Sequence, residues 1–255
     1  MRSPYKARNS ASGALRRLWF SLSLKLMTED LAERLTKVRK QIADAARKAN
    51  RNADDIKLVA VSKTHPAATV REAITAGAIV FGENKVQEAE SKILEIGREN
   101  VEWHLIGRLQ ANKARKAVKL FDVIHTLDSV ELAERLERIC LEENRENLSV
   151  FVQIDLANET AKNGVKEADL PPLIEFLKTC KCLKFDGLMI LPPYFEDAEK
   201  ARPYFRRLRE IRDEVLPDGE LSMGMSHDFS AAIEEGATVV RVGTAIFGER
   251  NYVSK

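Results

Sequence analysis

The sequence predicts an α/β fold, a single (β/α)₈ TIM barrel of parallel strands. Three observations support this prediction: short β-rich runs alternate with helical patterns, the runs number eight, and no long linker interrupts them. Strands that alternate with helices are typical of a parallel sheet, and eight such units in about 200 residues are typical of a closed barrel. An open Rossmann-like sheet is the alternative, but no Gly-x-Gly-x-x-Gly turn follows the first run.

The alternation begins after an amphipathic helix over residues 28–50, in which Leu31, Leu35, Val38 and Ile42 recur at three- and four-residue intervals. Each later unit is a β-rich run followed by a helical pattern. The eight runs cover residues 56–62, 79–81, 103–106, 123–125, 148–155, 183–190, 221–223 and 238–242. The helices that follow the first seven runs cover residues 69–77, 85–96, 112–120, 129–143, 168–180, 197–215 and 228–235.

Composition limits the classes of partner. The 255 residues include 41 Lys and Arg, 39 Asp and Glu and 3 Cys, and 44% are hydrophobic, which is typical of a soluble globular protein. Outside residues 1–27 the basic residues are interspersed with acidic ones, so we predict no nucleic-acid partner. No apolar stretch approaches the roughly 20 residues of a membrane span, so we predict no membrane partner. The cysteines fit no zinc spacing, and we predict no metal site.

Residues 1–27 are rich in Arg and Ser and lie outside the predicted barrel. They hold six of the basic residues and no acidic one, so 35 basic and 39 acidic residues remain and give the rest of the chain a net charge of −4. Two interpretations stay open: an organellar transit peptide, which would direct the protein to mitochondria, and a non-native extension upstream of a start at Met27. We favour the extension and a cytoplasmic protein, and assign residues 28–255 to one barrel domain.

The residues that follow each run are the candidates for chemistry, because barrel proteins place their active sites at the C-terminal ends of the strands. Lys63 directly follows the first run, where desolvation would make its amine a nucleophile for carbonyl groups. Ser226 follows the seventh run, and Gly243 and Thr244 follow the eighth; hydroxyl and backbone N–H groups there suit a phosphate group. The alternatives are a solvated lysine and ordinary turns or helix caps.

An amine on one side of the barrel mouth and a phosphate-binding loop on the other predict a phosphorylated aldehyde as ligand. Pyridoxal 5′-phosphate (PLP) is the obvious candidate. Arg241 would then reach the pyridine nitrogen. Because an arginine cannot realistically accept a proton, that nitrogen would stay neutral, and the ring would support carbanion chemistry less than a ring paired with aspartate. A surface salt bridge is the alternative role of Arg241.

Six segments resemble one known family and occur in its order along the chain. The segments are residues 60–64 (AVSKT), 81–84 (FGEN), 104–113 (HLIGRLQANK), 187–189 (GLM), 222–228 (SMGMSHD) and 240–248 (VRVGTAIFG). As a set they resemble the pyridoxal phosphate homeostasis protein family, from about residue 31 to the C-terminus.

The resemblance implies a PLP barrel of fold type III, without the extra β-domain of racemases, in which Lys63 carries PLP as a Schiff base. It implies that the phosphate is held after the seventh and eighth strands, and that Asn84 and Met189 line the cofactor pocket. The implied cofactor-binding residues are Lys63, Asn84, Met189, Ser226, Arg241, Gly243 and Thr244. It also implies a carrier or buffer of PLP in intracellular homeostasis, with no established catalytic activity. PLP enzymes without cofactor and small amino or keto acids are the implied partners, and we predict a monomer.

Two other functions are weighed against PLP binding. The first is a PLP-dependent amino-acid racemase, whose acid and base would be sought among His104, His125, Tyr194 and His227. We expect the first two to be hydrogen-bonded core residues, Tyr194 to lie in a loop and His227 at a helix start. Racemases also carry a further domain, whereas only residues 245–255 follow Thr244 here, so we expect none. The second is a PLP-free barrel that uses Lys63 for aldolase-type chemistry on a sugar phosphate.

Overall fold

The computed structural model describes residues 30–157 and 163–249, and these form a closed barrel of eight parallel strands. The strands are β1 (Lys57–Val61), β2 (Val80–Glu83), β3 (Glu102–Leu105), β4 (Val123–Leu127), β5 (Leu148–Ile154), β6 (Leu183–Ile190), β7 (Glu220–Ser222) and β8 (Val239–Val242). They follow one another around the barrel in chain order, and β8 pairs with β1, with Val59 opposite Arg241. The predicted barrel is confirmed, and the open-sheet alternative is wrong.

Helices lie between successive strands, before β1 and after β8. They are α1 (Leu31–Lys48), α2 (Ala67–Thr75), α3 (Val86–Ile96), α4 (Ala114–Leu120), α5 (Val130–Glu142), α6 (Leu170–Thr179), α7 (Arg202–Val215), α8 (Phe229–Glu234) and α9 (Thr244–Phe247). All the predicted helices are present with shifted ends. The largest shift is in α7, because a 3₁₀ turn, Ala198–Ala201, precedes it and Pro203 lies in its first turn, where proline is favoured.

The short helix α9 is absent from the predicted elements. Its single turn directly follows Gly243 and is too short to carry a helical period of apolar residues. At the other end of the described chain, α1 packs against α8 and α9. Arg34 fixes this contact, because its Nε donates to the Ile246 carbonyl at 2.7 Å. The first and last helices therefore meet beside the β8–β1 seam of the barrel.

The apolar core has two parts, as expected when successive strand residues point to opposite faces. The larger part lies between the strands and the surrounding helices and includes Phe81, Trp103 and Phe205. A small inner cluster lies inside the barrel and consists of Val59, Val80, Val123, Phe151, Met189 and Val239. Polar side chains occupy much of the remaining interior; they include His104, His125, Ser222 and Arg241, all buried.

None of the helices in the described ranges is both long enough and apolar enough to cross a membrane. The three cysteines are free thiols. Burial raises the pKa of both Cys140 and Cys180 to about 12, so these thiols stay protonated at neutral pH and are poor nucleophiles.

Candidate functional site

The predicted site residues lie on one arc of the barrel, at or just beyond the carboxyl ends of five consecutive strands. The strands are β6, β7, β8, β1 and β2, which are neighbours because the barrel closes between β8 and β1. Their residues are Met189 in β6, Ser226 after β7, Arg241 in β8, Gly243 and Thr244 after β8, Lys63 after β1, and Asn84 after β2. Residues that are up to 181 positions apart in the sequence, from Lys63 to Thr244, therefore meet at one mouth.

Lys63 lies two residues beyond the end of β1 and is half-buried. Val59 belongs to the inner cluster, whereas the Ser62 hydroxyl points outward and donates to Glu83 Oε1 at 2.6 Å. Alternation along the strand therefore places Lys63 on the inner side of the barrel wall. The next residue, Thr64, has φ of 70°, a left-handed conformation in which the chain turns away from the strand.

A buried charged cluster holds the backbone on both sides of Lys63. Lys92 of α3 donates from Nζ to the Ser62 carbonyl at 2.8 Å and to Glu83 Oε1 and Glu88 Oε1, each at 2.7 Å. Glu88 Oε1 also accepts from the Thr64 backbone N–H. The residues before and after Lys63 are thus tied to the same ammonium and carboxylate groups.

This cluster is absent from the sequence predictions, although the sequence carries a signal for it. Lys92 lies on the inner face of α3 next to Ile93 and is 5% exposed, and Glu88 is one helical turn before it. Glu83 is fully buried, and its Oε2 has no hydrogen-bond partner among the residues that the structure describes. Burial raises the pKa of Glu83, while Lys92 opposes this shift. A lysine at a buried helical position, one turn after a glutamate, indicates such a cluster.

On the opposite side of the arc, Ser226 joins the loops after β7 and β8. Its Oγ accepts from the Gly243 N–H at 3.2 Å and from the Ala245 N–H at 3.4 Å. Asp228 Oδ1 accepts from the Met225 N–H at 2.7 Å and so closes the turn that carries Ser226. A hydroxyl, two backbone N–H groups and the exposed Thr244 therefore lie in one loop pair, and the phosphate site there stays a prediction.

Two glycines make this loop pair compact. Gly224 has φ of 92°, and a Cβ there would lie 2.7 Å from Ala232 Cβ, so any other residue would clash with α8. At Gly243, a Cβ would lie 3.3 Å from the Val61 carbonyl oxygen. The loop after β8 thus passes close to the end of β1, which brings the Ser226 side of the arc near the Lys63 side.

Arg241 is 3% exposed, so its interpretation as a surface salt bridge is wrong. Its Nη1 donates to Ser222 Oγ at 2.5 Å, and its Nη2 donates to the Ile190 carbonyl at 2.8 Å. These contacts use two of the five N–H groups of the guanidinium. Burial lowers the pKa of Arg241 to about 10, so the group stays charged at neutral pH.

Asn84 and Met189 occupy different depths. Asn84 is half-buried beyond β2, and Gly107 packs on its backbone so closely that a Cβ at position 107 would lie 2.3 Å from the Asn84 carbonyl oxygen. Met189 is fully buried inside the barrel, in register with Ser222 of β7. The structure therefore places Asn84 at the rim of the mouth and Met189 in its floor.

The four acid and base candidates divide into two groups. His104 and His125 are buried and hydrogen-bonded, as expected, and their partners include each other at 2.8 Å. Tyr194 is 77% exposed, and His227 lies in the exposed turn before α8, where its Nε2 contacts the Glu196 carbonyl at 2.9 Å. Their rings lie 5.8 Å apart. In the described part of the chain, no cluster of three His, Cys, Asp or Glu side chains could hold a metal ion.

The chain belongs to the class of barrel proteins that share the N-terminal domain of alanine racemase. The chain matches the family model described as "Alanine racemase, N-terminal domain" over residues 34–251. Alanine racemase from Corynebacterium glutamicum has the same fold, with a TM-score of 0.59 at 20% identity over 83% of this chain and 61% of that one. At that identity the likeness concerns the fold alone.

Closer relatives narrow the class to one family. The pyridoxal phosphate homeostasis protein of Aquifex aeolicus is 43% identical over 227 residues, which cover 86% of this chain and 98% of that protein. PipY of Synechococcus elongatus, solved with PLP bound, is 41% identical with a TM-score of 0.76, over 86% of this chain and all of that one. This chain belongs to the pyridoxal phosphate homeostasis protein family, as its motifs predict.

Proposed function

We propose that this protein binds PLP at the mouth of the barrel and takes part in PLP homeostasis. The observation that carries the proposal is the convergence of Lys63, Arg241 and the Ser226–Gly243 pair on adjacent strands. An amine, a buried cation and a loop rich in N–H groups match the aldehyde, the ring nitrogen and the phosphate of one ligand. The bound PLP in the PipY relative supports this assignment.

Each residue has a proposed task in holding the cofactor. Lys63 supplies the amine that attaches PLP as a Schiff base, and the charged cluster around Lys92 keeps the Lys63 backbone in place. Ser226, Gly243 and Thr244 bind the phosphate through hydroxyl and N–H groups. Arg241 donates to the pyridine nitrogen from the floor of the mouth, and Asn84 and Met189 line the ring. When bound, PLP supplies a reversible covalent link to primary amines.

Three observations favour binding over catalysis. Because Arg241 stays protonated at neutral pH, it keeps a ring nitrogen beside it neutral and lowers the ring's capacity to accept electrons. The buried histidines are engaged with each other, so they are poorly placed to exchange a proton with a substrate at the rim. Relatives from Aquifex aeolicus and Escherichia coli, 43% and 40% identical to this chain, are named as homeostasis proteins and not as enzymes.

The remaining parts of the proposal concern partners and location. Lys63 is half-buried and Thr244 is exposed, so the mouth is accessible from solvent. We propose that PLP enzymes without cofactor, and small amino or keto acids, reach the bound PLP there. We also propose that residues 28–255 form one barrel domain, that the protein works as a monomer, and that it is cytoplasmic.

An absorbance spectrum of the purified chain tests the central proposal. With PLP added, we expect a visible band that is lost in Lys63→Ala and kept in Lys85→Ala, a matched change at an exposed lysine near the same mouth. Borohydride reduction should attach PLP to the peptide that contains Lys63. A wild-type protein that takes up no PLP, or a Lys63→Ala variant with an unchanged band, would contradict the proposal.

Two further measurements separate the competing functions. A racemase would exchange the α-proton of some amino acid with deuterated solvent faster than free PLP does, and we expect no such excess across an amino-acid panel. An aldolase-type barrel would be trapped by borohydride with a phosphorylated sugar in preference to PLP. We expect PLP to win that competition.

A further inference from the structure

A continuous chain of hydrogen bonds crosses the interior of the barrel from Arg241 to Glu102. The contacts are Arg241 Nη1 to Ser222 Oγ at 2.5 Å, Ser222 Oγ to His125 Nδ1 at 2.8 Å, His125 Nε2 to His104 Nδ1 at 2.8 Å, and His104 Nε2 to Glu102 Oε1 at 2.7 Å. Its members come from β8, β7, β4 and β3. The chain therefore links the floor of the mouth to the amino end of the strands.

The two ends of the chain determine the direction of every bond within it. Arg241 can only donate, and the Glu102 carboxylate can only accept. A neutral His104 must donate from Nε2 to Glu102, so its Nδ1 accepts from His125 Nε2–H. A neutral His125 then accepts at Nδ1, so the Ser222 hydroxyl proton points to His125 and its lone pairs face Arg241. With both histidines neutral, this is the single consistent arrangement.

The surroundings of the histidines favour their neutral forms. His104 is 1% exposed and His125 is fully buried, and burial lowers the pKa of each ring. At His104, Lys57 disfavours a positive charge, whereas Glu102 and Asp122 favour one. At His125, the neighbouring His104, Arg241 and Lys57 all disfavour a positive charge. Phe151 stacks on His125 with ring centroids 4.5 Å apart and holds the ring plane. The opposite direction would need a second proton on His104.

This arrangement matters because Arg241 is a buried charge that the Asp228 carboxylate favours electrostatically but does not hydrogen-bond in the described structure. Within the described residues, none of its contacts is an ion pair. Its acceptors are a hydroxyl and a carbonyl, and a buried cation held only by neutral acceptors depends on how well those acceptors are oriented. Glu102, which Lys57 also contacts at 3.1 Å, is the anion at the far end of the chain.

We propose that His104, His125 and Ser222 are positioning residues that orient the Arg241 guanidinium toward the ligand ring. They do so by committing the Ser222 hydroxyl proton to His125, which leaves the lone pairs of Ser222 for Arg241. This inference rests on the proposed function, because it gives Arg241 the ring nitrogen as its partner. It predicts that a substitution at Ser222, which contacts Arg241 on the side away from the ligand, changes the affinity for PLP and the absorbance spectrum of bound PLP.

Nitrogen NMR of the wild-type protein without PLP tests the direction of the chain. In protein labelled with ¹⁵N histidine, we expect both His104 and His125 to carry their proton on Nε2 at neutral pH, with Nδ1 unprotonated. A proton on Nδ1 of either ring would overturn the proposal. This readout needs neither the cofactor nor a variant.

PLP titrations of variants test the effect on Arg241. We expect Ser222→Ala to bind PLP about tenfold more weakly, with a shifted visible absorbance maximum, because Arg241 loses one oriented acceptor. Ser222→Thr restores the hydroxyl and should recover affinity and spectrum. Ser149→Ala is the matched control, since the Ser149 hydroxyl contacts Asp186 in the same barrel but is not part of the hydrogen-bond chain from Arg241 to Glu102.

The possible outcomes separate this inference from the proposed function. If the wild-type protein binds PLP and Ser222→Ala matches it in affinity and spectrum, the positioning role is wrong while PLP binding stands. If Ser222→Ala is impaired and Ser222→Thr is equally impaired, the hydroxyl is not responsible, and the positioning role is again wrong. If the wild-type protein itself fails to bind PLP, the proposed function is wrong, and the role toward the ring falls with it.

Discussion

Two buried polar groups support the two sides of the candidate site, and they are built in opposite ways. Behind Lys63, the charged cluster of Lys92, Glu83 and Glu88 packs one cation against two carboxylates on the outer side of β1 and β2. Behind Arg241, a linear chain of neutral groups runs through the barrel interior. The cluster holds backbone atoms, whereas the chain holds a side chain.

The difference shows how each support tolerates damage. In the charged cluster, the buried Glu83 carboxylate is stabilised by the positive charge of Lys92. One of its oxygens, Oε2, has no hydrogen-bond partner in the described structure. The chain has each of its internal donors matched to an acceptor, and only its Glu102 end reaches solvent, with 35% of that side chain exposed. We therefore expect damage to the charged cluster to lower the free energy of unfolding, and damage to the hydrogen-bond chain to weaken PLP binding.

The largest expected effect is at Lys92. Lys92→Met leaves buried Glu83 without its cation, so we expect a loss of about 3–5 kcal/mol in the free energy of unfolding, measured by urea denaturation. Because burial already raises the pKa of Glu83, its carboxyl group is easily protonated in the variant. A protonated carboxyl carries no buried charge, so the loss should be smaller at mildly acidic pH than at neutral pH.

Lys116→Met is the control for that variant. Lys116 pairs with Glu90 at 2.7 Å, but 52% of its side chain is exposed. An exposed pair contributes little, and we expect a change of about 0–1 kcal/mol. Equal losses in the two variants would contradict the importance of the buried cluster.

The next largest effect is expected at Gly224, whose backbone supports the Arg241 side of the site. The Gly224 carbonyl accepts from the Arg241 N–H at 3.0 Å, and Gly224 has φ of 92°. Gly224→Ala should destabilise the fold by about 3 kcal/mol, because backbone strain adds to a steric clash with α8. It should also weaken PLP binding, because the turn that carries Ser226 must move. Thermal unfolding and a PLP titration measure both effects.

Gly97→Ala separates strain from the clash. Gly97 has φ of 91°, but a Cβ there would meet no atom within 4 Å. Only the strain of the left-handed conformation applies, so we expect a loss of about 1 kcal/mol and unchanged PLP binding. If Gly224→Ala were no worse than Gly97→Ala, close packing against α8 would have no energetic weight.

The smallest effect concerns Glu102, at the solvent end of the chain. Its hydrogen bond from His104 is the main reason that the pKa of Glu102 falls to about 2. A carboxyl group with a lowered pKa stabilises the fold above its unfolded pKa of about 4.3, and this contribution is lost as the pH falls toward 2. Glu102→Gln should therefore cost about 1 kcal/mol at neutral pH, a figure reduced for the exposed part of the side chain.

That difference should shrink as the solution is acidified. Unfolding of wild type and Glu102→Gln, followed at several pH values, checks the prediction. A difference that stays constant over the acidic range would show that Glu102 is not held as an ionised partner of His104, and the direction of the chain would lose its anionic end.

Much of this protein follows from local patterns in its sequence. Eight β-rich runs with helices between them predict the barrel, since strand and helix periods are read over a few residues. The barrel then predicts that Lys63, Ser226 and Gly243 lie at one end, because parallel strands all point the same way. The barrel fold, and the strand ends on which the site residues lie, can therefore be predicted without knowing any individual side-chain contact. The partner that each side chain contacts does not follow from these local patterns.

Tertiary structure decided what surrounds those residues. His125 and Ser222 are 97 positions apart, and only closure of the barrel brings their side chains within 2.8 Å. Glu88 and Lys92 are one helical turn apart in the sequence, but only the packing of α3 on β1 and β2 brings Lys92 to the buried Glu83. The physical reason is common to both: local periodicity sets which way a side chain points, but the partner it meets depends on strands and helices from distant parts of the chain.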